Sequence, residues 1–178
     1  MKRILLHVCC GPCATHAINE LQQESFDVTL FFSNSNIHPN EEHLKRLQSL
    51  KIYVEKAKTP LIIDEYEPDE WFELVKGLGE EPEGGERCRI CIESRLKRTA
   101  HHAKSNGFEW FTTTLTISPH KNAKVINQLG AQVAKEYKLE FLSKNFKKKN
   151  GFKKSIKISK EHDLYRQNYC GCVFSMKK

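Results

Sequence analysis

Short apolar runs of strand length alternate along this chain with longer stretches of helical periodicity, and few folds satisfy that order. Residues 3–8 form an aliphatic run, after which Ala14, Ile18 and Leu21 recur at helical spacing. Residues 28–32 repeat the strand signal, and a polar helix over 41–50 continues toward Lys56. Leu61–Ile63 suits a third strand, and Pro68 suits the first turn of a helix over 69–76. Between residues 88 and 106, Ile92, Leu96 and Ala100 repeat at every fourth position, and Gly107 supplies a stop. A strand over 111–115 and a helix over Ala123–Tyr137, with Val125, Leu129 and Val133 on one stripe, complete the series. The alternation predicts an α/β fold, a parallel sheet with helices on both faces. At 178 residues it suits a single domain, 1–178, ending in a basic, cysteine-bearing segment from about 141 to 178.

No apolar run approaches the ~20 residues that cross a bilayer, so no membrane association is expected. The apolar stretch after Met1, Lys2 and Arg3 is too short for a signal-peptide core and runs directly into cysteines. A cytoplasmic location follows as the expectation. In a reducing compartment seven cysteines read as metal ligands or reactive thiols before they read as a disulfide framework.

All seven fall into three tight groups. Cys9, Cys10 and Cys13 follow the first strand, at the edge where open α/β sheets bind ligands. Cys88 and Cys91 form a C-x-x-C at the start of the long helix, where the helix dipole and Arg87, Arg89 and Arg95 favour thiolates. Cys170 and Cys172 flank Gly171, which allows the tight backbone two neighbouring ligands need. The grouping points to one shared metal site, with a thiol redox pair and plain burial as the alternatives. Seven thiols exceed by three the four that a structural zinc or a four-iron cluster takes, which suits two metals better than one. Neither a G-x-G-x-x-G nor a G-x-x-x-x-G-K-[ST] phosphate loop is present.

Charge is unevenly spread. Residues 141–178 carry eleven Lys and Arg against two acids, whereas 64–86 hold ten acids and one base, Lys76. The basic end suits a polyanion, although a solvated lysine face has the same composition.

Several segments together resemble one family, the cobalamin-independent epoxyqueuosine reductases, QueH. They are His7-Val8-Cys9-Cys10-Gly11-Pro12-Cys13, Asn36-Ile37-His38-Pro39, residues 83–91 around the C-x-x-C, Thr112-Thr113-Thr114-Leu115 with Ser118-Pro119-His120-Lys121-Asn122, and residues 145–151; Ser159-Lys160-Glu161 then leads into 164–172. The resemblance implies a nucleotide-hydrolase-like, Rossmann-like fold, a 4Fe-4S cluster and an adjacent iron ion. It also implies removal of the epoxide oxygen from epoxyqueuosine at the wobble position of a tRNA, with two electrons from a donor the sequence does not identify. A metal with an open position polarises an epoxide oxygen, and no flavin or nicotinamide motif competes for the electron role.

On that reading all seven cysteines are metal ligands. Adjacency suggests Cys10, Cys88, Cys91 and Cys170 for the cluster and Cys9, Cys13 and Cys172 for the iron, although the family also allows a carboxylate where Cys13 stands. Cys9, Cys13, Cys172 and His7 are the expected catalytic residues, with His7 either a proton donor or a hydrogen-bonded core residue. Lys121, Lys147, Lys148, Lys149, Arg166 and Tyr165 are expected to bind the tRNA, with Lys153 and Lys154 in support. Tyr165 and Tyr169 either stack on a base or pack internally. A zinc-stabilised RNA-binding module without catalysis, or a tRNA sulfur-transfer enzyme, are the competing readings; the first leaves three cysteines unexplained and the second lacks its phosphate loop.

Overall fold

Side-chain alternation along the first strand sets the layering. β1 (Lys2–Val8) sends Ile4, Leu6 and Val8 into one apolar cluster and Leu5 into another on the opposite face. The computed structural model describes residues 1–176; Lys177 and Lys178, the last two lysines of the basic segment, lie outside the described residues. β2 (Phe26–Phe32), β3 (Leu61–Ile63), β4 (Trp110–Thr113) and β5 (Glu140–Phe141) join β1 in one all-parallel sheet of order β3-β2-β1-β4-β5.

Helices cover both faces, as the alternation predicts. α1 (Gly11–Gln23), α2 (Asn40–Ala57) and α6 (Gly151–Glu161) lie over one face. α4 (Glu86–Ser105) and α5 (Ala123–Tyr137) cover the other, and the short α3 (Pro68–Leu74) leans on α4. Among the described residues no helix is long and apolar enough to cross a membrane.

Four local differences from the sequence reading have physical causes. Val125 is 37% exposed, because the buried stripe of α5 runs through Ile126, Leu129, Gly130 and Val133. β4 ends at Thr113, whose hydroxyl accepts from the Leu115 amide and turns the chain into a 3-10 helix over Thr114–Ile117. β5 is only two residues long and leaves no periodic signal. α6 buries Gly151, Ser155 and Ser159, a face of small residues with no apolar periodicity to read. A Cβ on Gly151 would sit 1.7 Å from the Phe146 carbonyl oxygen, so only glycine lets α6 start there.

The chain leaves β1 in one direction toward β2 and β3 and returns on its other side as β4 and β5. This reversal opens a crevice beyond the carboxyl ends of β1 and β4, the usual ligand position of such sheets. Cys9 follows β1 directly, and Thr114 to Lys121 follow β4.

Candidate metal centre

Cys10 caps α1, and its Sγ accepts from the Cys13 amide at 3.4 Å. A sulfur at a helix N-terminus is held in a field that favours the thiolate. The Sγ atoms of Cys9, Cys10 and Cys13 all lie within 4.8 Å of one another, with 3.8 Å between Cys9 and Cys10. Two thiolates on one tetrahedral metal with ~2.3 Å bonds stand ~3.8 Å apart, the separation of Cys9 and Cys10. Hydrogen bonds from the Cys10 and Cys13 thiols hold Cys9 far below the ordinary thiol pKa. Burial pushes Cys10 up, and its hydrogen bonds with Cys10 and Cys9 push Cys13 up. A cation beside the trio would draw off further thiol protons.

These thiols open onto a cavity of ≈ 440 Å³ lined by elements from both sides of the crevice, among them Cys9, Cys13, Lys121, Arg166, Gln167 and Cys170. Beside it a narrower cavity is lined by the other four thiols, Cys88, Cys91, Cys170 and Cys172. Arg95, Lys121 and Cys170 line both. All seven cysteines are free, and the structure gathers the three groups into one region. Within it the grouping differs from the one adjacency suggests: Cys10 sits with Cys9 and Cys13, while Cys172 packs with Cys91 and Trp71.

Arg95, 4% exposed, is one of two cations between the cavities, with Lys121. Burial works against its charge, and the Cys91, Cys170 and Cys9 sulfurs sustain it. Lys121 donates to Cys170 Sγ at 3.1 Å, and against the cost of burial that thiol keeps the ammonium above its ordinary pKa. Lys121 thus serves the sulfurs, a nearer partner than the phosphates the sequence suggests. Arg87 spends its guanidinium on the carbonyls of Leu78, Gly79 and Glu81, and Arg89 pairs with Glu86 at the surface. Of the three arginines expected to favour thiolates, Arg95 is the one that reaches several of them.

The C-terminal thiols are fixed by a buried network that sequence reasoning missed. Arg46, 1% exposed on α2, donates to the Cys170 and Tyr169 carbonyls at 2.9 and 3.1 Å and pairs with Glu42 at 2.7 Å. Glu42 also accepts from the Tyr165 hydroxyl at 2.7 Å, so that ring is anchored by its polar end to α2. The i,i+4 acid–base spacing of Glu42 and Arg46 was the available signal, and it reads as an ordinary surface pair. Gly171 has a φ of 133°, and a Cβ there would meet Ile37 at 3.1 Å and Arg46 at 3.2 Å, as the expected tight C-x-C backbone demands. Gln167 donates to Cys10 Sγ at 3.1 Å.

His7 is fully buried. Its Nε2 lies 3.1 Å from the Ser33 carbonyl, which only accepts, so Nε2 carries the proton and Nδ1 accepts from the Thr113 hydroxyl at 2.9 Å. Burial drives its pKa down to about 4. His7 ties the ends of β1, β2 and β4 together and does not line the ≈ 440 Å³ cavity. Lys148 and Lys149 are exposed just before α6, and Lys153 and Lys154 on its first turns; Lys147 is half-buried and donates to the Lys121 carbonyl. Phe152 and Ser155 of α6 line the same cavity, so the basic helix borders its mouth.

Fold and site together define a Rossmann-like, nucleotide-hydrolase-like α/β protein that carries metal-capable thiols where a phosphate loop would stand. A predicted subunit of tRNA methyltransferase from Methanocaldococcus jannaschii shares the fold, with a TM-score of 0.57 over 86% of this chain and 76% of that one, at 10% identity. The family model described as "Epoxyqueuosine reductase QueH" matches residues 4–178. Relatives named epoxyqueuosine reductase QueH include those of Streptococcus pyogenes serotype M1, 46% identical over 98% of this chain and 70% of the relative, and of Staphylococcus epidermidis, 41% identical over 99% and 77%. That of Thermotoga maritima is 37% identical over 99% of this chain and 91% of its own length. The chain belongs to the QueH family.

Proposed function

We propose that this protein reduces epoxyqueuosine to queuosine in tRNA, using metals held by its seven cysteines. The reaction takes two electrons and two protons, breaks both carbon–oxygen bonds of the epoxide, and releases water and an alkene. The observation that carries the reading is the meeting of all three cysteine groups at the switch point, beside a cavity large enough for a modified base.

The donor set is all sulfur, which suits iron and iron–sulfur clusters. Cys9, Cys10 and Cys13 hold one metal, an iron; the thiols of the narrow cavity hold the second group, a 4Fe-4S cluster, with Cys170 bordering both. Bound there, the iron supplies a Lewis acid for the epoxide oxygen and the cluster supplies electrons one at a time. Arg95 and Lys121 balance the charge of the thiolates from between the cavities. Gln167 keeps Cys10 oriented through its amide. Arg166 and Tyr169 on the cavity wall contact the nucleoside, and Lys147, Lys148, Lys149, Lys153 and Lys154 neutralise phosphates around the mouth. Tyr165, its hydroxyl held by Glu42 and its ring partly exposed, offers a further contact to the tRNA. His7, with both nitrogens engaged, supports Thr113 and the strand ends rather than delivering a proton. A tRNA substrate fits a cytoplasmic protein, and an electron donor must reach the narrow cavity.

Incubating anaerobically reconstituted protein and dithionite with tRNA bearing epoxyqueuosine, then digesting it and weighing the nucleosides, tests this. Loss of one oxygen from the modified nucleoside is the expected result. An unchanged nucleoside with a colourless, zinc-bound protein of full RNA affinity would favour the non-catalytic module.

A further inference from the structure

The wall of the narrow cavity combines thiols with N–H groups that have no partner outside it. Asn36 is 1% exposed and Trp71 3% exposed, and both line this cavity with Cys88, Cys91, Cys170 and Cys172. The Asn36 amide has no hydrogen-bond partner, and the Trp71 indole N–H has none beyond the Cys91 thiol, whose pKa it holds down against the rise from burial. Arg95, on the same wall, has an unpartnered Nε as well. Buried donors almost always find an acceptor, and several orphans around one small space point to an acceptor that belongs in that space.

The placement is built. Asn36 comes from the loop after β2, where Asn34 donates to the Val8 carbonyl and Tyr66 to the Ile37 carbonyl. Trp71 comes from α3 and is wedged by rings, with His38 at 5.0 Å, Phe72 at 5.4 Å and Phe174 at 6.2 Å, while packing with Cys91 and Cys172. A neutral thiol is a weak acceptor, but a metal-bound thiolate or sulfide is anionic and takes N–H donors readily.

We infer that Asn36 and Trp71 are the hydrogen-bond donors to the metal-bound sulfurs of the narrow cavity, and that they raise the reduction potential of the group held there. The inference rests on the reading of the site as a metal centre. Both are positioning residues, acting on the reaction through sulfur. Each added electron makes the sulfurs more negative, so a fixed N–H stabilises the reduced state more than the oxidised one. Together with Arg95 they let a cluster bound by several thiolates accept electrons from a weaker reductant.

The test is a redox titration followed by electron paramagnetic resonance, on reconstituted wild type, Trp71→Phe and Asn36→Leu. Trp71→Phe keeps the aromatic wall and removes the N–H. The expected result is a lower midpoint in each variant, by about a tenfold shift in the reduction equilibrium or ~59 mV for one electron, at unchanged iron and sulfide content. A purely packing role would instead lower the urea midpoint of the metal-free variants and leave the potential alone, which overturns the inference. Resonance Raman gives a second reading. Transfer into deuterated water should shift the metal–sulfur stretching bands more in the wild type than in Trp71→Phe or Asn36→Leu, where the shift left is that of other donors such as Lys121 on Cys170, and equal shifts overturn the inference. Normal epoxyqueuosine turnover with unmoved potentials and equal shifts sinks this inference alone. A chain that takes up no iron sinks both it and the function.

Discussion

Replacing Arg46 with methionine isolates what holds the C-terminal thiols in place. The side chain keeps an unbranched apolar stem and loses a guanidinium that donates to the Cys170 and Tyr169 carbonyls and pairs with Glu42. Hydrogen bonds from a charged donor are worth ~1.5–3 kcal/mol each, and stripping the partner from a buried ion pair costs ~3–5 kcal/mol because the other charge is stranded. Glu42 is 7% exposed and keeps the Tyr165 hydroxyl, which offsets part of that penalty. The expected loss is about 4 kcal/mol, a large share of the ~5–15 kcal/mol that holds a domain together. Urea unfolding of the metal-free protein measures it. Arg46→Met with Glu42→Gln should be about 2 kcal/mol more stable than Arg46→Met alone, since no carboxylate is then left buried without its cation. Iron retained after gel filtration should fall in the single variant, because Cys170 and Cys172 lose their anchor. A single-variant loss below ~1 kcal/mol, or a double variant no more stable than the single, would refute the reasoning.

Gly151→Ala should lower stability by about 3 kcal/mol in the same urea assay, since its Cβ meets the Phe146 carbonyl and α6 must lift from α1. Burial, then Arg46 and His38, drives the His43 pKa down to about 4 against an ordinary 6.5. The unfolded chain therefore takes up this proton first as pH falls, and stability drops between pH 6.5 and 4 by about 3 kcal/mol. His43→Phe, which keeps the ring between Phe32 and Tyr66, should remove its share of that slope in unfolding measured across the range, leaving the share of His7, whose pKa burial also drives down to about 4. Changing Lys148, Lys149, Lys153 and Lys154 to glutamine should weaken tRNA binding and reduce the salt slope by up to ~0.9 for each phosphate no longer neutralised. The same change at Lys104, Lys135 and Lys138, which lie around a shallow basin away from the thiols, should leave both unaltered in filter binding.

The fold was legible wherever apolar spacing decided the structure. β3 and α5 match the reading at both ends, and the layer order follows from the alternation of Ile4, Leu5 and Leu6. α6 was not legible, because Gly151, Ser155 and Ser159 pack by being small and the lysines between them dominate the composition. Val125 illustrates the limit of a four-residue stripe: shifting the phase by one position puts Ile126 in the core instead. Seven cysteines in three groups announced a common site, since thiols have few other reasons to cluster. Their internal grouping depends on long-range contacts such as Arg46 to Cys170 and Gln167 to Cys10, across 124 and 157 residues of chain. Asn36 stood in a segment that carries the family resemblance, but its role as a donor, like that of Trp71, exists only in three dimensions.

The proposed function requires three distant stretches of sequence to bind metal jointly through sulfur. Iron and acid-labile sulfide measured in anaerobically purified protein, beside Cys9→Ser, Cys91→Ser and Cys170→Ser, test that directly. A sulfide-containing, brown wild type whose iron falls in each of the three variants is the predicted result. A protein that holds no sulfide, or whose iron ignores one of the three stretches, would contradict it.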